Sequence, residues 1–540
     1  MAGSVGRAGL WIASGTLTSR VLGLVRAMVL AYAIGSIGFG ANAFANAGKV
    51  PNTVYTLIAT GALTAVLVPQ ITKAALAADG GARYINKLIT LALVGSGAIM
   101  VIAGVFTPPL ISWLGSSWSA DQVELATVFA FWLLPQILFY SLYTVLGEVL
   151  NARSLFGPYA WSPVLNNVLN IAGLIGFVVI FGADPDGVAG AGRWDLLGIA
   201  LVAGSATLGV ASQALILFAF WRRAGLTFRI DFGFRGIGLG TMGKVAGWTF
   251  LTVLLTQAVG LFNTRVMNLA GSGEAGLAAA ELAGLIFVLP HSIITISLVT
   301  ARFTRMSENV HAENFAAFTS DITSSARLVG FSMMFFTAAM LVLAFPLIRL
   351  IQPGATYGVV STVSVVLIAN LIGLLPFSLL FVLNRGFFAL SDTRTPFFIA
   401  VGQSALTILA AIFCTTLPSE MITATLTGVI SSLFVLQMLA TFLLLRRRVG
   451  ILGGRGILGG IAQNLVAAVV AALAGWGVLA LLGGIEPEAL AMRSFLGAFI
   501  ACAIVTVAMA VVYGLILLVM RNREAISILA RLRGMLPGSR

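Results

Sequence analysis

The sequence predicts an all-α polytopic membrane protein of 14 transmembrane helices, built as two pseudo-symmetric six-helix lobes plus a C-terminal helix pair. Three observations lead there. Hydrophobic residues make up 59% of the 540 positions and charged residues 9%, against about a quarter charged in soluble domains; a soluble fold has nowhere to hide so much apolar surface. Apolar runs of about 20 or more residues recur along the whole length, each sufficient at 1.5 Å per residue to cross a hydrocarbon core ~30 Å thick. Features of the first half also return in the second half at a nearly constant offset.

Spans are expected near 10–35, 43–70, 88–114, 122–147, 158–182, 195–221, 241–270, 276–301, 322–350, 359–388, 395–416, 422–445, 459–484 and 491–520. The first is too long, and too centrally interrupted by Arg20 and Arg26, for a signal peptide's short apolar core, so it is expected to stay in the mature protein. With the N-terminus in the cytoplasm, 24 of the 31 Lys and Arg fall in cytoplasmic loops and tails, and three outside: Arg193, Arg349 and Arg493. This is the asymmetry left by threading through a membrane, and gaining or losing one span scrambles it. Both termini are therefore expected in the cytoplasm. The partition also accounts for most of the net charge of +13 without a nucleic-acid partner. Arg446–Arg448 and the tail from Arg521 read as topology signals or as anionic-lipid contacts. The stretch from Arg302 to Arg327, with Phe315 and Phe318, is expected to form a short interfacial helix.

The seventh span echoes the first at an offset of 237: Gly6, Trp11, Ser19, Arg20, Gly23 and Arg26 correspond to Gly243, Trp248, Thr256, Gln257, Gly260 and Asn263. Pro135 with Pro376, and Asn151-Ala152-Arg153 with Asp392-Thr393-Arg394, repeat at 241, and Pro51 with Pro290 at 239. Six spans, an even number, separate the copies, so both lobes face the same way, an arrangement used by transporters that rock about a central site. The expected division is residues 1–235 for the first lobe, 236–450 for the second, 451–520 for the terminal pair and 521–540 for a basic tail.

An ionised guanidinium in hydrocarbon costs at least ~2.5–3.5 kcal/mol, so Arg20 and Arg26 must face a wet cavity or an anionic partner. They differ by six residues, or ~120° around the axis, and can border one broad cavity from different angles. Packing against backbone carbonyls or sealing a lobe interface is the structural alternative. In the second span Asn42, Asn46, Lys49, Asn52 or Thr53, Thr56 and Thr60 recur every three or four positions, the spacing of one helix face. A polar stripe inside a membrane lines water, and Lys49 lies too far inside the span to read as a snorkelling end residue. In the seventh span Arg265 lies near the outer end, where it either reaches the headgroups or borders the cavity. Asp and Glu sit at helix ends or in loops, so the cavity is basic and suits an anion. Guanidinium forks match phosphate oxygens bidentately, so Arg20, Arg26 and Lys49 suit a diphosphate. Ser19, Asn42, Asn52 and Thr60 offer hydroxyls and amides to a sugar or peptide headgroup.

Enzymatic chemistry has little to stand on. Cys414 and Cys502 fall within spans with no motif around them, His291 and His311 stand alone in sequence, and no metal-ligand spacing occurs. No metal or organic cofactor is expected; coupling to the membrane potential or to a monovalent cation remains open.

The stretch Ser19-Arg20-Val21-Leu22-Gly23-Leu24-Val25-Arg26, with Lys49-Val50-Pro51-Asn52, Gly61-Ala62 and Val68-Pro69, resembles the MurJ/MviN lipid II flippases. Their larger group also contains multidrug exporters and polysaccharide flippases. The resemblance covers the whole chain in span count and repeat, while its specific motifs lie in the first ~70 residues. It implies an undecaprenyl-diphosphate-linked disaccharide-pentapeptide cargo, carried from the inner to the outer leaflet of a bacterial cytoplasmic membrane for cell-wall synthesis. By the family pattern Ser19, Arg20, Arg26 and Lys49 would lie in the central cavity, and spans 13 and 14 would hold the polyprenyl tail in a lateral groove. Asn42, Asn52, Thr60, Asn263 and Arg265 are further candidates for binding the headgroup from the reading of the residues themselves. The implied partners are lipid II, membrane lipids and cell-wall synthesis proteins.

This sequence departs from the family pattern at several positions. Asn42 stands for a usual acid, Tyr55 and Thr56 occupy the region of a usual arginine, Thr60 replaces a usual Glu, and Leu285 aligns with an expected arginine. The alternative is a multidrug or oligosaccharide-lipid exporter of the same fold group, which would call for 12 core spans and an intramembrane carboxylate.

Overall fold

A computed structural model of the chain describes residues 2–58, 71, 74, 79–233, 239–271, 273–450, 452 and 454–535. The described residues are mostly helical, with no strand among them. Helices α1 (Ala2–Ile34) and α2 (Phe39–Ile58) open the chain. They are followed by α3 (Ala82–Leu114), α4 (Ala120–Ala152), α5 (Phe156–Phe181), α6 (Leu196–Phe220) and α7 (Leu239–Met267). Next come α8 (Leu277–His311), α9 (Phe315–Val342), α10 (Tyr357–Ala389), α11 (Arg394–Cys414) and α12 (Ser419–Val449), then α13 (Gly454–Leu481), α14 (Phe495–Val519) and α15 (Arg523–Met535).

Among the described residues 13 of these helices are long and apolar enough to cross a membrane. The remaining expected span is α2, whose polar stripe lowers its hydropathy and whose second half lies outside the described residues.

Helix ends carry the polar caps that free N–H groups require. Ser119, Asp195, Asn314 and Ser494 each accept a backbone N–H at the start of α4, α6, α9 and α14. Inside the spans, hydroxyls return to the carbonyl four residues back, as Thr90, Thr107, Ser141, Ser364 and Thr441 do. Without water, a polar group must find its partner within the protein.

Residues from Arg302 to Arg327 do not form the expected interfacial helix. Arg302 continues α8 as far as His311, a turn at Ala312–Asn314 closes, and Phe318 is fully buried in α9. The left-handed Glu313 (φ 54°) and the Asn314 cap make a stop and restart that hydrophobicity alone does not announce. The end of α8, Ile296–His311, is amphipathic, as is α15.

The chain forms two compact units, Met1–Ala278 and Ala279–Arg540. In the first, Phe129, Phe177 and Trp194 centre one apolar cluster and Ile85, Leu146 and Trp221 belong to another. In the second, α9, α13 and α14 pack through Met334, Ala471, Val505 and Met509. The repeat is visible inside each unit: α4 breaks at Leu134-Pro135 and α10 at Ile372-Gly373. Each broken helix ends on a left-handed serine, Ser154 (φ 61°) and Ser391 (φ 57°), separated by the same 237 residues that align the first and seventh spans. The helix breaks, 238 residues apart, fall within one residue of that register, and the Pro135/Pro376 pairing of the sequence, at 241, is about one turn away from it. In the second unit a π-helical turn, His291–Thr295, holds the buried His291 with Nδ1 2.9 Å from Ser378 Oγ.

Candidate substrate-binding wall of the first unit

The two arginines of α1 have different settings. Ser19 seats α1 on α5, because Asn167 Nδ2 donates to its carbonyl at 3.0 Å and to its hydroxyl at 3.4 Å. The next residue points ~100° away from that contact. Arg20 is exposed and lines a cavity of about 540 Å³ with Thr16, Ser19, Tyr143, Asn151, Phe156 and Tyr159. Arg26 is half-buried and interacts electrostatically with the Tyr140 phenol.

An aromatic wall joins these two places. Tyr140 of α4 stacks on Tyr55 of α2, with ring centroids 4.6 Å apart and planes at 29°. Three residues on, Tyr143 stacks on Tyr159 of α5 at 4.9 Å and 22°, and its hydroxyl donates to the Tyr159 carbonyl at 3.3 Å. The i, i+3 spacing puts Tyr140 and Tyr143 on one helix face, and Tyr55 lies within electrostatic range of Tyr140, Tyr143 and Tyr159. Half of the chain's eight tyrosines therefore meet between Arg26 and the Arg20 cavity. The half-buried Glu148 lies near Asn151 and within electrostatic range of Tyr159.

The polar stripe of α2 divides. Asn42 and Asn46 are buried and serve packing instead of water. Asn42 Oδ1 accepts the Ala278 N–H at 3.1 Å. Asn46 and Asn268 exchange amide hydrogen bonds of 3.0 and 2.7 Å, and Asn268 also donates to the Leu114 carbonyl at 3.1 Å. Ser117 Oγ and Trp118 Nε1 donate to the Asn268 carbonyl at 2.9 and 3.2 Å. A reciprocal amide pair satisfies both side chains where an unpaired amide in an apolar setting is costly. Further along, Lys49 is half-buried and Asn52 exposed, with the Asn52 carbonyl accepting the Thr56 hydroxyl at 2.8 Å. Thr60 lies outside the described residues.

On α7, Asn263 has a buried amide oxygen with no hydrogen-bond partner among the described residues. Arg265 lies with its guanidinium 5.0 Å from the Trp113 ring centre and donates to the Trp113 carbonyl, so its charge meets a π face and a backbone dipole at the end of α3.

The structure thus places Ser19 and Arg20 in one cavity and connects Arg26 to it through tyrosines. Asn42 and Arg265 belong to the contacts of α7 and its following loop. Sequence reasoning assigned no substrate role to Tyr55, Tyr140, Tyr143, Tyr159, Glu148, Asn151 and Asn268. The one available signal was the i, i+3 spacing of Tyr140 and Tyr143. Among the described residues no group of three or more His, Cys, Asp or Glu is placed to hold a metal.

Comparison with known proteins is consistent along the chain. The family model described as lipid II flippase MurJ matches residues 30–496. A probable lipid II flippase MurJ of Vibrio cholerae is 26% identical over 408 residues, 72% of this chain and 74% of the relative. That of Haemophilus influenzae is 28% identical over 404 residues, 71% and 75% of the two chains. In fold, the chain is similar to a structure of lipid II flippase MurJ in an inward closed conformation, with TM-score 0.70 and 18% identity over 93% of this chain and 98% of that one. An inward-facing multidrug resistance MATE transporter of the MOP superfamily shares the fold more distantly, with TM-score 0.57 and 16% identity over 81% and 96%. With a family model covering most of its length, this chain belongs to the lipid II flippase MurJ family.

Proposed function

We propose that this protein carries lipid II from the inner to the outer leaflet of a bacterial cytoplasmic membrane, with the headgroup passing along the wall between Arg20 and Arg26. The observation that supports this most is the setting of Arg20: a guanidinium in a predominantly apolar span opens onto a cavity that also offers hydroxyls, an amide and aromatic faces. Guanidinium forks hold phosphate oxygens bidentately, and Lys49 adds a mobile charge on the neighbouring helix. Hydroxyls and amides suit the sugar and peptide parts of the headgroup.

In this reading the transport step is alternating access without covalent chemistry. Cytoplasmic termini, as the distribution of Lys and Arg suggests, put the Asn151 end of α4 and the Arg20 cavity in the inner-leaflet half. The diphosphate binds there first, and partial neutralisation of the arginines lets the carrier close around it. An inside-negative potential assists outward movement of negative charge by ~2.3 kcal/mol per net charge per 100 mV, less whatever cationic side chains move with it. Coupling to a monovalent cation would need oxygen ligands, which carbonyls and hydroxyls can supply.

The test is depletion of the cell's own flippase followed by expression of this chain. Outer-leaflet lipid II, measured by an externally added enzyme that cleaves it, is expected to return. Inner-leaflet accumulation despite normal insertion would contradict the proposal.

A further inference from the structure

The Arg20 cavity holds more chemistry than a diphosphate requires. Phosphate recognition calls for cations and N–H donors, yet Tyr143, Phe156 and Tyr159 present aromatic surface here. The nearby Glu148 carboxylate, beside Asn151, repels an anion. A carboxylate beside an amide instead matches the hydroxyl and acetamido groups of a neutral polar ligand, accepting from one and donating to the other. Tyrosine rings add an apolar face with a polar edge, which suits a sugar ring, whose C–H face is apolar and whose rim is hydroxylated.

The site is built before any ligand arrives. Tyr159 lies flat over Gly147, its carbonyl receives the Tyr143 hydroxyl, and Ser19 beside it is held by Asn167. Such preorganisation removes part of the ordering cost of binding. At about 540 Å³ the cavity falls in the ~300–1,000 Å³ range of small-ligand pockets, which fits a portion of a lipid-linked headgroup.

We propose that this cavity is a carbohydrate subsite, taking an N-acetylhexosamine ring of the cargo against Tyr143 and Tyr159 while Arg20 holds the adjoining phosphate. The proposal rests on the reading of this chain as a lipid II carrier. It gives the tyrosines a role in choosing cargo: they distinguish a sugar-bearing polyprenyl diphosphate from the bare one.

The experiment measures binding of lipid II and of undecaprenyl diphosphate, which lacks sugars, to the full chain in lipid nanodiscs by native mass spectrometry. The wild type is expected to bind both. Tyr143→Leu and Tyr159→Leu are expected to weaken lipid II binding about tenfold and to leave undecaprenyl diphosphate within about twofold. Tyr143→Phe and Tyr159→Phe, which keep the rings, retain both affinities, and Arg20→Ala weakens both. Leucine variants that weaken the two lipids equally, or neither, while the phenylalanine variants remain folded, overturn the subsite. A wild type that binds neither lipid overturns the underlying carrier reading, and the subsite with it.

Discussion

Tyr159 of α5 lies so close over Gly147 of α4 that a Cβ on residue 147 would sit 2.1 Å from its ring. The missing side chain lets the ring lie flat and reach Tyr143. Gly147→Ala is expected to displace Tyr159 and to destabilise the protein by about 1–3 kcal/mol, the usual range for overpacking. Thermal denaturation in detergent checks this. Adding Tyr159→Ala to Gly147→Ala should restore part of the loss, because the clash then has no partner.

A second close approach joins two loops of the first unit. Gly38 (φ 87°) and Gly187 (φ 67°) cross backbone on backbone, and a Cβ on either would lie 2.0 Å from a carbonyl oxygen, of Gly187 and Ile37 respectively. Gly38→Ala combines left-handed strain of ~1–2 kcal/mol with that clash. The expected outcome is a loss of at least about 2 kcal/mol and reduced membrane yield, whereas Gly225→Ala, left-handed at φ 73° and ψ 22° with open space around it, should show the strain alone.

The amide pair between Asn46 and Asn268 gives a prediction about coupling. Either single change to Leu leaves a buried amide without its partner, and the double change removes both. Interhelical hydrogen bonds in membranes couple by ~0.6 kcal/mol on average and up to ~1.7, so a double-mutant cycle on melting should return a value in that range. Additive single effects would mean that α2 and α7 are held by their other contacts.

Asp392, in the turn between α10 and α11, links stability to pH. Burial raises its carboxyl, but the Thr395 N–H and hydroxyl and the Arg448 guanidinium, at 3.0, 2.7 and 3.1 Å, outweigh that and hold it below the usual carboxylate value. A depressed folded-state value stabilises above the unfolded value of ~3.9 and loses that contribution as pH falls through the folded one. Wild type should therefore melt higher than Asp392→Asn at neutral pH, and the gap should close below about pH 4.

What could be read beforehand followed from local rules. Run length and the asymmetry of Lys and Arg locate the spans, and the cost of a charge in hydrocarbon singles out Arg20 and Arg26. The stripe on α2 was visible as periodicity, but periodicity does not say what the face meets. Asn46 meets Asn268, 222 residues away, and only the fold reveals that the N-terminal half of the stripe is packing. The tyrosine wall was hidden for the same reason. Tyrosine in a span reads as an interfacial anchor, and Tyr55, Tyr140 and Tyr159 meet only once three helices are in place. A break between the eighth and ninth spans was expected from the polar stretch 302–321, but α8 continues helical through it to His311, and a short side chain and one left-handed residue then set the stop that composition does not locate.

The central claim is that the α1 guanidiniums carry the cargo's diphosphate. Its most direct test is complementation of a flippase-depleted cell by Arg20→Ala and Arg26→Ala variants present in the membrane at wild-type level, scored by lipid II accessible in the outer leaflet. Both are expected to leave lipid II in the inner leaflet, and Arg→Lys at either position should restore it only in part, because an ammonium keeps the charge and loses the fork. Wild-type outer-leaflet lipid II with both arginines replaced would contradict the account.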